Sequence, residues 1–132
     1  GGSAMPLVPP PPNTAPSASQ LEAAIAAAIA AGRMQEHGEL LVLPAGTETM
    51  TWDEASARCR RRKAEGMRSW RLPSKGELVE LRKAKLLPPG TYWSRAAVGG
   101  DEAYAFDAAS GRMNVWLKME PNARALCVRK RP

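Results

Sequence analysis

The 132-residue chain holds one histidine, one phenylalanine, two tyrosines and two cysteines. Each scarcity narrows what the protein can do. A lone His37 and two distant cysteines cannot be assembled into a zinc site of ordinary ligand spacing. There is no glycine-rich phosphate loop and no serine nucleophile elbow, so nucleotide hydrolysis and serine acyl transfer have no residues to carry them. No apolar run approaches the length of about eighteen residues that a membrane-spanning helix needs. No pattern implies a cofactor. Hydrophobic residues make up 44% of the chain, but before Glu39 these are mainly alanines. The aromatic and large aliphatic residues that can build a core follow Glu39.

Positive charge is abundant. The net charge is +6 and the sequence pI is about 9.8. Only Arg33, Glu22 and Glu36 are charged before Glu39, which leaves 18 basic and 11 acidic residues beyond it, a balance of +7. Such a domain suits anionic partners, among them acidic glycans, phospholipid head groups, nucleic acid and acidic proteins; solubility alone would also account for it.

The chain divides at 1–18, 19–38 and 39–132. Gly1 to Met5 reads as a tag remnant, which implies a larger parent polypeptide upstream. Pro6 to Pro16, with four consecutive prolines at 9–12, reads as an extended or disordered linker. Ser19-Gln-Leu-Glu22 has the form of a capping box opening an Ala-rich helix, on which Leu21, Ile25 and Ile29 form one apolar stripe. That stripe must pack on the domain or on another copy. His37 falls in a flexible junction. Glu39 to Leu43 is expected as a strand.

Two further capping boxes follow, at Thr51-Trp-Asp-Glu54 and Ser74-Lys-Gly-Glu77. The first helix runs to about Ala64 with Trp52, Ala55 and Cys59 on one face; the second runs to about Lys83 with Leu78 and Leu81 inward. Trp70-Arg-Leu-Pro73 between them is extended, because a residue preceding proline avoids the helical region. The rest reads as β: Thr91 to Arg95, Ala103 to Asp107, Arg112 to Lys118 and Arg124 to Arg129, with Ala108 to Gly111 as a hairpin turn. Spacing alone leaves Cys59 and Cys127 open between a bridge and two buried thiols.

In order and spacing, Met50-Thr-Trp-Asp-Glu-Ala55, Cys59, Trp70-Arg-Leu-Pro-Ser74, Glu77-Leu78, Tyr92-Trp-Ser94, Ala105-Phe-Asp107, Ser110-Gly111 and Leu126-Cys-Val-Arg129 resemble the bacterial Lcl C-terminal-like domain family. That family is similar to C-type-lectin-like and formylglycine-generating-enzyme-like folds. The resemblance covers about Glu39 to Arg129. It implies an α+β, C-type-lectin-like domain: two helices beside a short mixed or antiparallel sheet whose terminal strands pair, here with an N-terminal Ala-rich helix added. It also implies a Cys59–Cys127 disulfide, and hence an oxidising, extracytoplasmic compartment, periplasmic or at the cell surface. Bridged cysteines are unavailable for the oxidase chemistry of the formylglycine-generating relatives, whose site has no other counterpart here. The expectation is therefore a non-enzymatic recognition module of a larger envelope or surface protein. An architectural module assembling through the N-terminal helix is the alternative, and a cysteine-dependent oxidase comes third.

Two surfaces are candidates for binding protein or anionic glycan. Trp116 shares its strand face with Asn114 and Lys118 and could stack on a sugar. Arg58, Arg61 and Arg62 on one helix and Arg82 and Lys83 on the next would form a single basic surface if the helices lie side by side. Nucleic acid is the less expected partner, since it is an intracellular one. Glu120-Pro-Asn122 matches a tripeptide of calcium-dependent lectins, but one Glu and one Asn fall short of the six to eight oxygens calcium takes, so no metal site is expected.

Overall fold

A computed structural model describes residues 15–132; most of the proline-rich linker lies outside the described residues. Three helices appear, α1 (Ala18–Ala30), α2 (Trp52–Arg61) and α3 (Lys75–Lys83). Each opens on a reciprocal capping box, from Ser17 with Gln20, Thr51 with Glu54 and Ser74 with Glu77. The first box therefore sits two residues earlier than expected. Ser17 holds extended backbone, and Gln20 supplies the returning acceptor that a glutamate would.

Among the described residues eight strands form two sheets. The smaller contains β1 (Gln35–His37), β2 (Leu40–Val42) and β8 (Val128–Lys130), all antiparallel, in the order β1-β2-β8. His37 is thus in a strand and not in a flexible junction. Gln35-Glu-His37 has little strand propensity of its own and is held by pairing with β2. The larger sheet has the order β3-β7-β4-β5-β6, built from β3 (Thr49–Met50), β7 (Ala123–Arg124), β4 (Thr91–Val98), β5 (Glu102–Asp107) and β6 (Arg112–Leu117). β4 is longer than expected and carries an irregularity between Trp93 and Ala97. The single last strand expected over Arg124 to Arg129 is divided: β7 belongs to one sheet and β8 to the other.

Alternation along β4 separates two cores. Tyr92 faces a cluster with Leu78, Leu81, Phe106, Leu126 and Val128. Trp93, on the opposite side of the strand, joins Ile25, Ala55, Cys59, Trp70 and Cys127. Helix α3 therefore packs on one face and α2 on the other. α1 belongs to the second core: Ile25 and Ala28 are fully buried, with Leu21 and Ile29 packed beside them. The stripe that an assembling helix would use is already covered. Cys59 and Cys127 are joined by a disulfide, their Cα atoms 5.3 Å apart, tying α2 to the segment that enters β8.

Buried indoles are satisfied by backbone carbonyls. Trp70 Nε1 donates to Met67, Trp93 Nε1 to Met50 and Trp52 Nε1 to Ser94, over 2.8–3.0 Å. The β5–β6 register places Tyr104 opposite Val115 and Phe106 opposite Met113, so all four share one face. α3 covers part of it, with Leu78 and Leu81 beside Phe106 and the Lys75 ammonium 3.9 Å from the Tyr104 ring centre. Val98, Val115, Leu117 and Met119 remain exposed.

Candidate functional site

The Trp70–Pro73 segment crosses the domain between two strands. Arg71 exchanges backbone hydrogen bonds with Val128, 2.9 and 2.8 Å long, and the Arg95 amide donates to the Pro73 carbonyl over 2.8 Å. This knit brings together residues that are distant in sequence. Ser69, Arg71, Arg95, Arg129, Lys130 and Arg131 line one open cleft of about 390 Å³.

The five cations differ in what surrounds them. Arg71 forms a two-pronged pair with Glu77, Nη1 to Oε1 at 2.7 Å and Nη2 to Oε2 at 2.9 Å. Its Nη1 also donates to the Leu72 carbonyl. Glu77 accepts in addition from the Ser74 amide, closing the α3 cap. The Arg71 hydrogen bonds hold the Glu77 carboxyl down at about 2, against the partial burial that opposes ionisation. Arg131 bridges Glu22 of α1 and Glu36 of β1. These two cations are neutralised where they stand.

The other three are not. Arg129 donates from Nε to the Lys130 carbonyl and from Nη1 to the Arg68 carbonyl, which fixes its plane without a counter-charge. Arg95 and Lys130 are exposed. Among the described residues none of the three has a carboxylate within ion-pair distance. All three line the cleft, although Arg129 and Lys130, paired with Leu41 and Leu40, leave β8 on opposite faces, and their unpaired charges make this edge of the domain positive, a field that concentrates anions.

The residues singled out from sequence fall elsewhere. Because α2 and α3 pack on opposite faces of β4, Arg58, Arg61 and Arg62 do not form one surface with Arg82 and Lys83. Arg58 pairs with Glu48 at 3.0 Å, while Arg61 and Arg62 are exposed. Arg82 donates to the carbonyls of Ala108 and Ala109, clamping the β5–β6 turn, and Lys83 lies 3.6 Å from Glu80. Trp116 is half-buried and meets Trp93 edge to face, ring centres 6.1 Å apart. Lys118 extends over the Trp52 ring at 4.4 Å, and Asn114 is half-buried opposite Ala105. The Asn122 amide donates to Glu120. No three His, Cys, Asp or Glu side chains converge among the described residues.

The order of these elements, with two helices between β3 and β4 of the large sheet and β8 returning to β2, decides the fold. It is C-type-lectin-like. Among solved structures, botrocetin overlays with a TM-score of 0.53 at 14% identity, covering 74% of this chain and 96% of its own. Rhodocetin gives 0.53 at 13%, over 74% and 97%. Botrocetin in complex with a mutant von Willebrand factor A1 domain gives 0.53 at 13%, over 74% and 96%. At such identities the likeness is one of fold. No protein-family model and no curated protein matches the chain, so the resemblance to the Lcl C-terminal-like family rests on the motifs quoted above. Among the described residues no helix is long and apolar enough to cross a membrane.

Proposed function

We propose that this domain is a non-enzymatic recognition module of a larger bacterial envelope or surface protein, and that it binds an anionic partner through the cleft of Arg95, Arg129 and Lys130. The observation that carries the reading is one concavity lined by Arg95, Arg129 and Lys130, residues that have no carboxylate within ion-pair distance among the described residues. The Cys59–Cys127 bridge supports a place outside the cytoplasm, periplasmic or at the cell surface, because such bridges persist in oxidising compartments. In that setting the partners are an acidic glycan or an acidic protein. The botrocetin–A1 complex shows a protein of similar fold joined to a protein domain.

Retention on immobilised heparin tests this. The protein is expected to bind at low ionic strength and elute as sodium chloride rises, since exposed charges are screened within about 10 Å at 0.1 M. Arg95→Ala and Lys130→Ala are expected to elute earlier than Arg112→Ala, which removes a charge outside the cleft. Absence of retention, or equal shifts for all three, would overturn the assignment.

A further inference from the structure

Independently of the anion-binding reading, we infer that the outer edge of β6 is a self-association surface: it pairs antiparallel with β6 of a second copy of this chain, about a two-fold axis at Val115. An open edge, a symmetric row of side chains and the placement of charge lead to this pairing.

The edge is open. β6 is a terminal strand of the large sheet and pairs with β5 over all six of its residues without a bulge. Among the described residues no backbone hydrogen bond from outside the sheets reaches Met113 to Trp116. An edge of this kind is a template for another strand unless charge, proline or a bulge blunts it. Met113 to Leu117 hold none of these. The other edge strands are short or occupied. β3 has two residues. β1 has Glu36 at its centre, held by Arg131, and β8 is bridged to Arg71.

The side chains of β6 match a copy of themselves. Residues directly opposite in an antiparallel pair share a face. A two-fold axis at Val115 sets Val115 against its own counterpart and Met113 against Leu117 of the other copy. On the reverse face Asn114 meets Trp116. The exposed Val115 and Leu117 are then covered in one continuous apolar row. Such self-complementarity is what an interface between identical subunits requires. An axis at Asn114 would instead put Leu117 opposite Gly111. The same operation on β1 would oppose two Glu36 carboxylates.

Charge permits the pairing and size limits it. The charged side chains along the seam are Arg112 at one end and Lys118 just past the other, and Lys118 is drawn over the Trp52 ring. No like charges meet within the row. An edge of about 20 Å buries less than the roughly 1,000 Å² of a durable interface. The two copies therefore exchange, with a dissociation constant on the order of 100 μM.

The test is sedimentation equilibrium of the whole chain from micromolar to millimolar concentration, where a monomer–dimer equilibrium is expected. Val115→Lys places two ammonium groups against each other across the axis and should weaken the dimer about tenfold or more. Arg61→Ala should leave it unchanged. Cys59 and Cys127 are bonded to each other, so an introduced cysteine is the sole thiol. With a short bis-maleimide, Val115→Cys should link to itself. Met113→Cys and Leu117→Cys should link to each other in a mixture more than either does alone, because like positions then lie about 14 Å apart along the seam. Arg61→Cys should not link.

A monomer at every concentration overturns the pairing, even if β6 accepts a strand from another protein. A dimer that Val115→Lys leaves intact lies on a different surface and overturns it too. Links at position 115 without the preferred link between 113 and 117 overturn the antiparallel two-fold arrangement. Val115 is exposed, so Val115→Lys should unfold at the same urea concentration as the wild type; if it does not, the cross-links decide.

Discussion

Replacing Glu77 with Gln should move stability and anion binding in opposite directions. Glu77 closes the α3 cap and neutralises Arg71 through two hydrogen bonds. Its carboxyl is lowered from 4.5 to about 2, first by those bonds. A difference of that size corresponds to about 3 kcal/mol favouring the folded state when the group is charged. About a quarter of each partner side chain is open to water, which reduces the expected figure to about 2 kcal/mol. Because the folded value is the lower one, this stabilisation is complete above about pH 4.5 and is lost as pH falls toward 2. Urea unfolding of the wild type and Glu77→Gln should thus differ by about 2 kcal/mol at pH 7, and the gap should close near pH 2. The substitution also leaves Arg71 without a counter-charge beside the cleft, so the variant should elute later from heparin at pH 7. A gap independent of pH, or earlier elution, would refute this account of the pair.

Three other outcomes are expected. Thiol titration of the denatured, unreduced protein should find no free thiol, and the double variant Cys59→Ala/Cys127→Ala should lose about 4 kcal/mol, given a sequence separation of 68 in the chain-entropy view. Two titratable thiols would remove the argument for an oxidising compartment. Ile25→Ala should cost about 2–4 kcal/mol by leaving a cavity, with no change in mass by light scattering, because α1 packs on its own domain; a lighter particle would show that the helix instead joins copies. Trp93→Phe removes the donor to the Met50 carbonyl, and should cost about 1–3 kcal/mol in chemical unfolding; a neutral result would mean that water replaces the indole.

Local signals in the sequence were strong wherever side chains satisfy backbone groups in their immediate vicinity. The boxes at Thr51 and Ser74, the extended Trp70–Pro73 link and the Ala108–Gly111 turn all depend on neighbours within four residues. Gln35-Glu-His37 escaped because its strand character belongs to β2. The division between β7 and β8 escaped because Ala125 to Cys127 alternate between two cores, a pattern that also reads as one continuous strand. The cleft was the hardest to see. Arg129, Lys130 and Arg131 stand together in the sequence, but Arg71 and Arg95 reach them only through the Val128 and Pro73 contacts. The basic runs on the helices were more conspicuous, yet α2 and α3 lie on opposite faces of β4, and Arg82 is engaged by the hairpin carbonyls.

The shortness of α3 has a consequence for how the protein behaves in solution. At nine residues it leaves Val98, Val115 and Leu117 facing water, and Met119, just beyond β6, is exposed as well. Contacts made there strengthen with salts that are excluded from protein surfaces, such as sulfate. Contacts made by Arg95 and Lys130 weaken in any salt. Ionic strength thus acts on one molecule with two signs, loosening its charged associations while favouring its apolar ones. As ammonium sulfate rises, its retention by an anionic matrix should fall while its self-association grows.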